Sequence, residues 1–144
     1  MPVASKVVMA ELGKLLEDLK MNSEMLEKQT AKAIKMLSDI ANAVKACKII
    51  DITIIDRVAF KEDSDNLYYI ALKDGSLAIY VFHKKKQDGA YAPFIVTDPV
   101  TIAAIATRLP EFLRYVNERV TTKLAIFEEA LNALENVKKV LNLA

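Results

Sequence analysis

Residues 67–73, LYYIALK, followed by Asp74-Gly75 and then residues 76–84, SLAIYVFHK, decide the fold. Two apolar runs rich in β-branched and aromatic residues flank a dipeptide that tolerates the positive φ angles of a tight turn, so the stretch reads as a β-hairpin. Pairing across Asp74-Gly75 sets Leu72 against Leu77, Ile70 against Ile79 and Tyr68 against Val81 on one face. The reverse face then carries Ala71 with Ala78, Tyr69 with Tyr80 and Leu67 with Phe82. Both faces are apolar, so each needs cover from a helix, a ligand or a partner.

Outward from the hairpin, the period of two extends to both sides. Ile50, Ile52, Ile54, Val58 and Phe60 alternate with Asp51, Thr53 and Arg57, which predicts a strand starting near Ile49. The polar run 61–66, KEDSDN, reads as a solvated connection. Beyond the hairpin, Lys84, Lys85 and Lys86 enter the loop KKKQDGAYA, Asp88-Gly89 marks a second turn, and Pro93–Thr97 reads as a short fourth strand whose leading proline suits an edge.

The flanks change to a helical period. From residue 5 to 47, Leu12, Leu15, Leu19, Leu26, Ala33, Met36, Ile40, Ala43 and Cys47 recur at three and four among Lys and Glu, as one long amphipathic helix, with Asn22-Ser23 as an alternative break. Such a helix reaches ~65 Å at about 1.5 Å per residue, longer than a compact domain of this size, so part of its seam calls for a partner. Asp98-Pro99 supplies an N-cap and a first-turn proline for a second helix over 99–142. Pro110 is expected to interrupt it, and Leu113, Val116, Val120, Phe127, Leu134 and Leu141 continue the seam. The fold class is α+β: two long helical segments, 5–47 and 99–142, bracket a β-meander of about four strands within 49–97, all in one domain of 144 residues.

Composition narrows the chemistry. Twenty Lys plus Arg against nineteen Asp plus Glu leave a net charge of +1, so contact with nucleic acid must be a local patch. One Cys, one His and no Trp exclude a disulfide framework and a Cys/His zinc site. The lone Cys47 and a start without a secretory pattern imply a reducing, cytoplasmic setting. The longest uncharged apolar stretch, Val100 to Thr107, falls short of the ~20 residues of a membrane-spanning helix. Cys47 reads as a small buried residue on the helix seam, since a helix C-terminus disfavours a thiolate. His83 beside three lysines takes no catalytic role. Asp63 and Asp65 resemble the start of a calcium loop, but the sixth position is Tyr68 instead of Gly and the twelfth is Asp74 instead of Glu. Glu128 and Glu129 diverge by about 100° on a helix and cannot share a proton. No cofactor is called for.

Two candidate contacts remain. Lys84, Lys85 and Lys86 can track a phosphate backbone, or protect a sheet edge. Tyr69, Tyr80 and Phe82, with Arg57 nearby, can form a stacking platform for unpaired bases, or a second buried sheet face.

A helical part made from both chain ends, SKVVMAELGKLLEDLK with EFLRYVNERVTTKLAIFEEALNAL, interrupted by a β insertion around NLYYIALKDGSLAIYVFHKKK, resembles the small subunit of archaeal type I-A CRISPR effector complexes. The resemblance lies in size and order of elements and includes no diagnostic motif. It implies a non-catalytic antiviral-defence subunit that joins larger proteins along guide or target nucleic acid. The function expected is therefore a non-enzymatic assembly protein, a homo-oligomer or part of a larger complex, bound to single-stranded nucleic acid or a guide–target complex and not to membrane. The alternative is a self-assembling scaffold or viral component without nucleic acid.

Overall fold

Two long helices bracket a four-stranded antiparallel sheet in the computed structural model, which describes residues 3–49 and 57–143. The order is α1 (Val3–Ala46), β1 (Val58–Glu62), β2 (Asn66–Lys73), β3 (Ser76–His83), β4 (Asp88–Pro93) and α2 (Pro99–Val140). The sheet is a meander, β1-β2-β3-β4. The expected strand positions Ile50, Ile52 and Ile54 lie outside the described residues.

The hairpin has the expected register throughout, from Leu72↔Leu77 to Leu67↔Phe82. Asp74 and Gly75 both take positive φ, 51° and 79°, as the two central residues of a tight primed turn require. The polar run after β1 is shorter than expected: Lys61 and Glu62 belong to β1, Asn66 opens β2, and Asp63 to Asp65 make the turn. A register shift between Ala59 and Lys61 marks a β-bulge. The extra residue leaves Phe60 packed against the core and Lys61 Nζ 5.2 Å from the centre of the Tyr68 ring.

The fourth strand is displaced from its expected place. It occupies Asp88–Pro93, not Pro93–Thr97, and residues 94–98 are irregular. The turn falls at Lys84 to Gln87, closed by Gln87 N–H donating to the His83 carbonyl at 2.9 Å, with Gln87 at φ 55°. Gln87 thus takes a left-handed conformation at the end of the turn, and Gly89, expected in a turn with Asp88, lies in the ladder opposite Phe82.

One face of the sheet meets the helices. Val58, Ile70 and Leu77 join Leu37 and Val44 of α1 and Ile102, Ile105, Leu109, Phe112 and Val116 of α2 in one core cluster, with Phe112, Ile70 and Ile105 fully buried. α1 is unbroken at Asn22-Ser23. Its buried positions are Leu37 and Val44, flanked by half-buried Ala33, Ile34, Ile40 and Ala41, whereas Met36, Ala43 and Cys47 are exposed. The strict three-and-four seam drifts by about 20° per heptad against a straight helix, so by its last turns it has rotated off the buried face. Cys47, beyond the last helical residue, is solvent-facing, its thiol 3.3 Å from the Ala43 carbonyl.

α2 begins as expected. Asp98 is extended (φ −84°, ψ 126°), and its Oδ2 accepts from the Thr101 N–H at 2.9 Å and the Thr101 hydroxyl at 2.8 Å. Pro110 does not interrupt the helix. The proline has no N–H for the preceding turn, but Ile105 and Phe112 on either side are pinned in the core, and that burial carries the helix through.

The hydrogen bonds from Thr101 hold the Asp98 carboxyl below its ordinary value. A depressed folded-state pKa means that the cap's ionic contribution is complete above the unfolded carboxylate value and is lost as pH falls through the folded one. Asp98→Asn, which caps without charge, should therefore be less stable than wild type near neutrality. The difference should narrow below about pH 4, read as thermal midpoint against pH; a pH-independent difference would show that the charge contributes nothing.

The grooves between the helices fix their relative direction. Leu26 and Thr30 of α1 lie by Pro99, while Ala33 to Ile40 lie by Ile102 to Leu113. Both sets of numbers rise together, so the helices run the same way where they meet. The part of α1 before that segment and the part of α2 after it leave as two arms from opposite ends.

Candidate functional site

The sheet face turned away from the core carries a row of three tyrosines, one on each of β2, β3 and β4. Tyr69 pairs with Tyr80 and Tyr80 with Tyr91, with ring centroids 6.2 and 5.1 Å apart. Period-two alternation puts them on one face, and the tilted geometry, 59° and 65° between planes, is the arrangement that ring quadrupoles favour. Arg57, just before β1, reaches over this row. Its guanidinium carbon is 3.5 Å from the Tyr80 centroid and 5.8 Å from that of Tyr91, and Nη2 is 3.4 Å from the Tyr91 hydroxyl. Lys73 Nζ stands 5.1 Å from the Tyr91 ring centre.

Gly89 makes room for this arrangement. A Cβ there would collide with the ring and hydroxyl of Tyr80, so only glycine lets the ring cross β4. Tyr69, Tyr80 and Phe82 are half-buried and Tyr91 is 39% exposed, and none of the four belongs to the core cluster. The helices cover the other face. The sequence reading placed Tyr69, Tyr80, Phe82 and Arg57 together but missed Tyr91, because it took Asp88-Gly89 as a turn. The alternation Gly89, Tyr91, Pro93 against Ala90 and Ala92 was the available signal.

The three lysines divide. Lys84 is held: its Nζ pairs with Glu62 Oε1 at 2.6 Å and donates to the Asp63 carbonyl at 2.8 Å, joining the ends of two turns. Gln87 Nε2 donates to the Lys84 carbonyl at 2.6 Å. Lys85 and Lys86 are exposed at the tip of the turn.

The acidic turn organises itself. Asp63 accepts from the backbone N–H of Asn66 and Asp65 and from the Tyr68 hydroxyl, at 2.7, 2.9 and 3.0 Å, and these bonds, in that order, lower its pKa. Its oxygens serve the turn. Among the described residues no three of His, Cys, Asp and Glu are grouped to hold a metal ion, and no helix is long and apolar enough to cross a membrane.

The second prominent surface is helical. Val7, Leu12, Leu15, Leu19 and Leu26 on the α1 arm, and Leu124, Phe127, Leu131, Leu134 and Leu141 on the α2 arm, are each 45–65% exposed. Eighteen residues make five full turns at about 3.6 residues per turn, so Leu19 lies on the face of buried Leu37 and Leu134 on that of buried Val116. The stripe that is core in the middle of the molecule continues outward, uncovered, along both arms. The chain matches no family model, no curated protein and no solved structure.

Proposed function

We propose that this chain is a non-enzymatic assembly protein whose two helical arms bind protein partners. The carrying observation is the continuation of each core-facing stripe onto an arm where, among the described residues, the large apolar side chains stand in water. Large exposed apolar surfaces on folded chains mark interaction sites. Photo-cross-linking amino acids placed at Leu19 and at Phe127 in the full chain should give discrete protein adducts from both arms in cells. Absence of adducts at both positions would overturn the reading.

A nucleic-acid-bound form is supported by a separate observation, the half-buried tyrosine row with Arg57 and Lys73 on the sheet face turned away from the core cluster. Aromatic rings interleaved with cations stack bases and draw phosphates. In its most specific form the chain is then a small subunit of a complex of the archaeal type I-A CRISPR effector kind, which shares the order of helix, β insertion and helix. Lys85 and Lys86 extend the basic surface to the turn. The other form is a self-assembling scaffold, in which the sheet face meets protein.

A further inference from the structure

We propose that the partner of the arms is a second copy of this chain, placed so that the α1 arm of each protomer lies antiparallel against the α2 arm of the other. This rests on the assembly reading and names its occupant.

Area is the first support. The chain exposes 10981 Å², whereas a compact monomer of 16.0 kDa exposes about 7,400 Å². The excess, roughly 3,500 Å², is several times the about 800 Å² that each partner contributes to an ordinary stable interface. A protomer alone leaves core-like stripes bare over the outer part of both helices.

Direction is the second. Because α1 and α2 run the same way where they meet, their arms leave at opposite ends and cannot cover one another within one protomer. A two-fold axis across the packed segment sets the α1 arm of one copy beside the α2 arm of the other, at both ends at once. The chain directions are then antiparallel by construction. One contact used twice covers all four stripes and closes the assembly, whereas pairing like with like at α1 leaves both α2 arms bare. Charge does not oppose this, since Lys123, Lys138 and Lys139 balance Glu128, Glu129 and Glu135 on the α2 arm, and Lys and Glu interleave along the α1 arm.

The test uses the full chain with Cys47→Ala as background. Leu19, before Ala33 on the α1 arm, and Phe127, after Leu113 on the α2 arm, stand at matching distances from the packed segment. A chain carrying both Leu19→Cys and Phe127→Cys should oxidise to a covalent dimer, while either substitution alone should not. Sedimentation of the unmodified protein at micromolar concentration should give the dimer mass, and Leu19→Asp should raise the dissociation constant at least tenfold. Leu19 is 62% exposed in the protomer, so its circular dichroism should keep the helical signal. Dimers from Leu19→Cys alone, or a monomer at tens of micromolar, would overturn the proposal. A purified monomer with adducts in cells removes the second copy and leaves the assembly reading standing; absence of both removes both.

Discussion

Phe112→Ala is expected to destabilise the chain by about 3 to 5 kcal/mol, measured by denaturant unfolding. Phe112 has no exposed surface and stands where α2, the sheet and the core residues Ile70 and Ile105 meet. Truncation removes its transfer free energy and opens a cavity whose walls, two helices and a hydrogen-bonded sheet, can close only partly. The loss is a large share of the roughly 5 to 15 kcal/mol that holds a domain together. Thr121→Ala, on the exposed arm beyond the last half-buried residue, should change little by comparison. A small effect at Phe112 would mean that the cluster does not carry the fold and that stability comes from the arms.

The contrast between those two sites also explains what the sequence could tell. The hairpin was legible because Asp74-Gly75 leaves one register for two apolar runs, and Asp98-Pro99 was legible because both residues act locally at a helix start. Pro110 and the β3–β4 turn were not. A helix passes through proline when Ile105 and Phe112 are fixed by the sheet, which is a tertiary effect no window of sequence contains. Gln87 takes a positive φ that its residue type does not announce, and a turn centred between Lys85 and Lys86 instead of between Asp88 and Gly89 hid Tyr91. The α1 seam was read with a strict heptad, and the drift of a straight helix exchanged Ala43 and Cys47 for Val44. The candidate platform was half legible: the pairing of Tyr69 with Tyr80 follows from the hairpin, but the seat of Arg57 on Tyr80 and the gap left by Gly89 depend on how three strands align.

That seat sets the second large effect. If the sheet face binds single-stranded nucleic acid, Tyr80→Ala should weaken binding by ~1 to 3 kcal/mol, read by fluorescence anisotropy at low salt. The ring seats the guanidinium of Arg57 at 3.5 Å and lies 5.1 Å from the Tyr91 ring, so its removal unseats the cation and loosens the row beside it. Arg57→Lys keeps the charge and loses the planar group, and it should reproduce much of the loss with the same salt dependence. Lys85→Ala with Lys86→Ala should act differently, flattening the slope of log K against log salt by roughly one and a half units, at about 0.7 per phosphate neutralised on a single strand. Lys84 is left in place because its ion pair with Glu62 and its bond to the Asp63 carbonyl join two turns, and its loss would mix stability with affinity. Gly89→Ala is the sharper probe, since the added methyl must push the Tyr80 ring aside while charge is unchanged. If Tyr80→Ala and Gly89→Ala leave binding untouched, or if no binding appears at low salt, the tyrosine row is a protein-facing surface and the self-assembling scaffold is the better account.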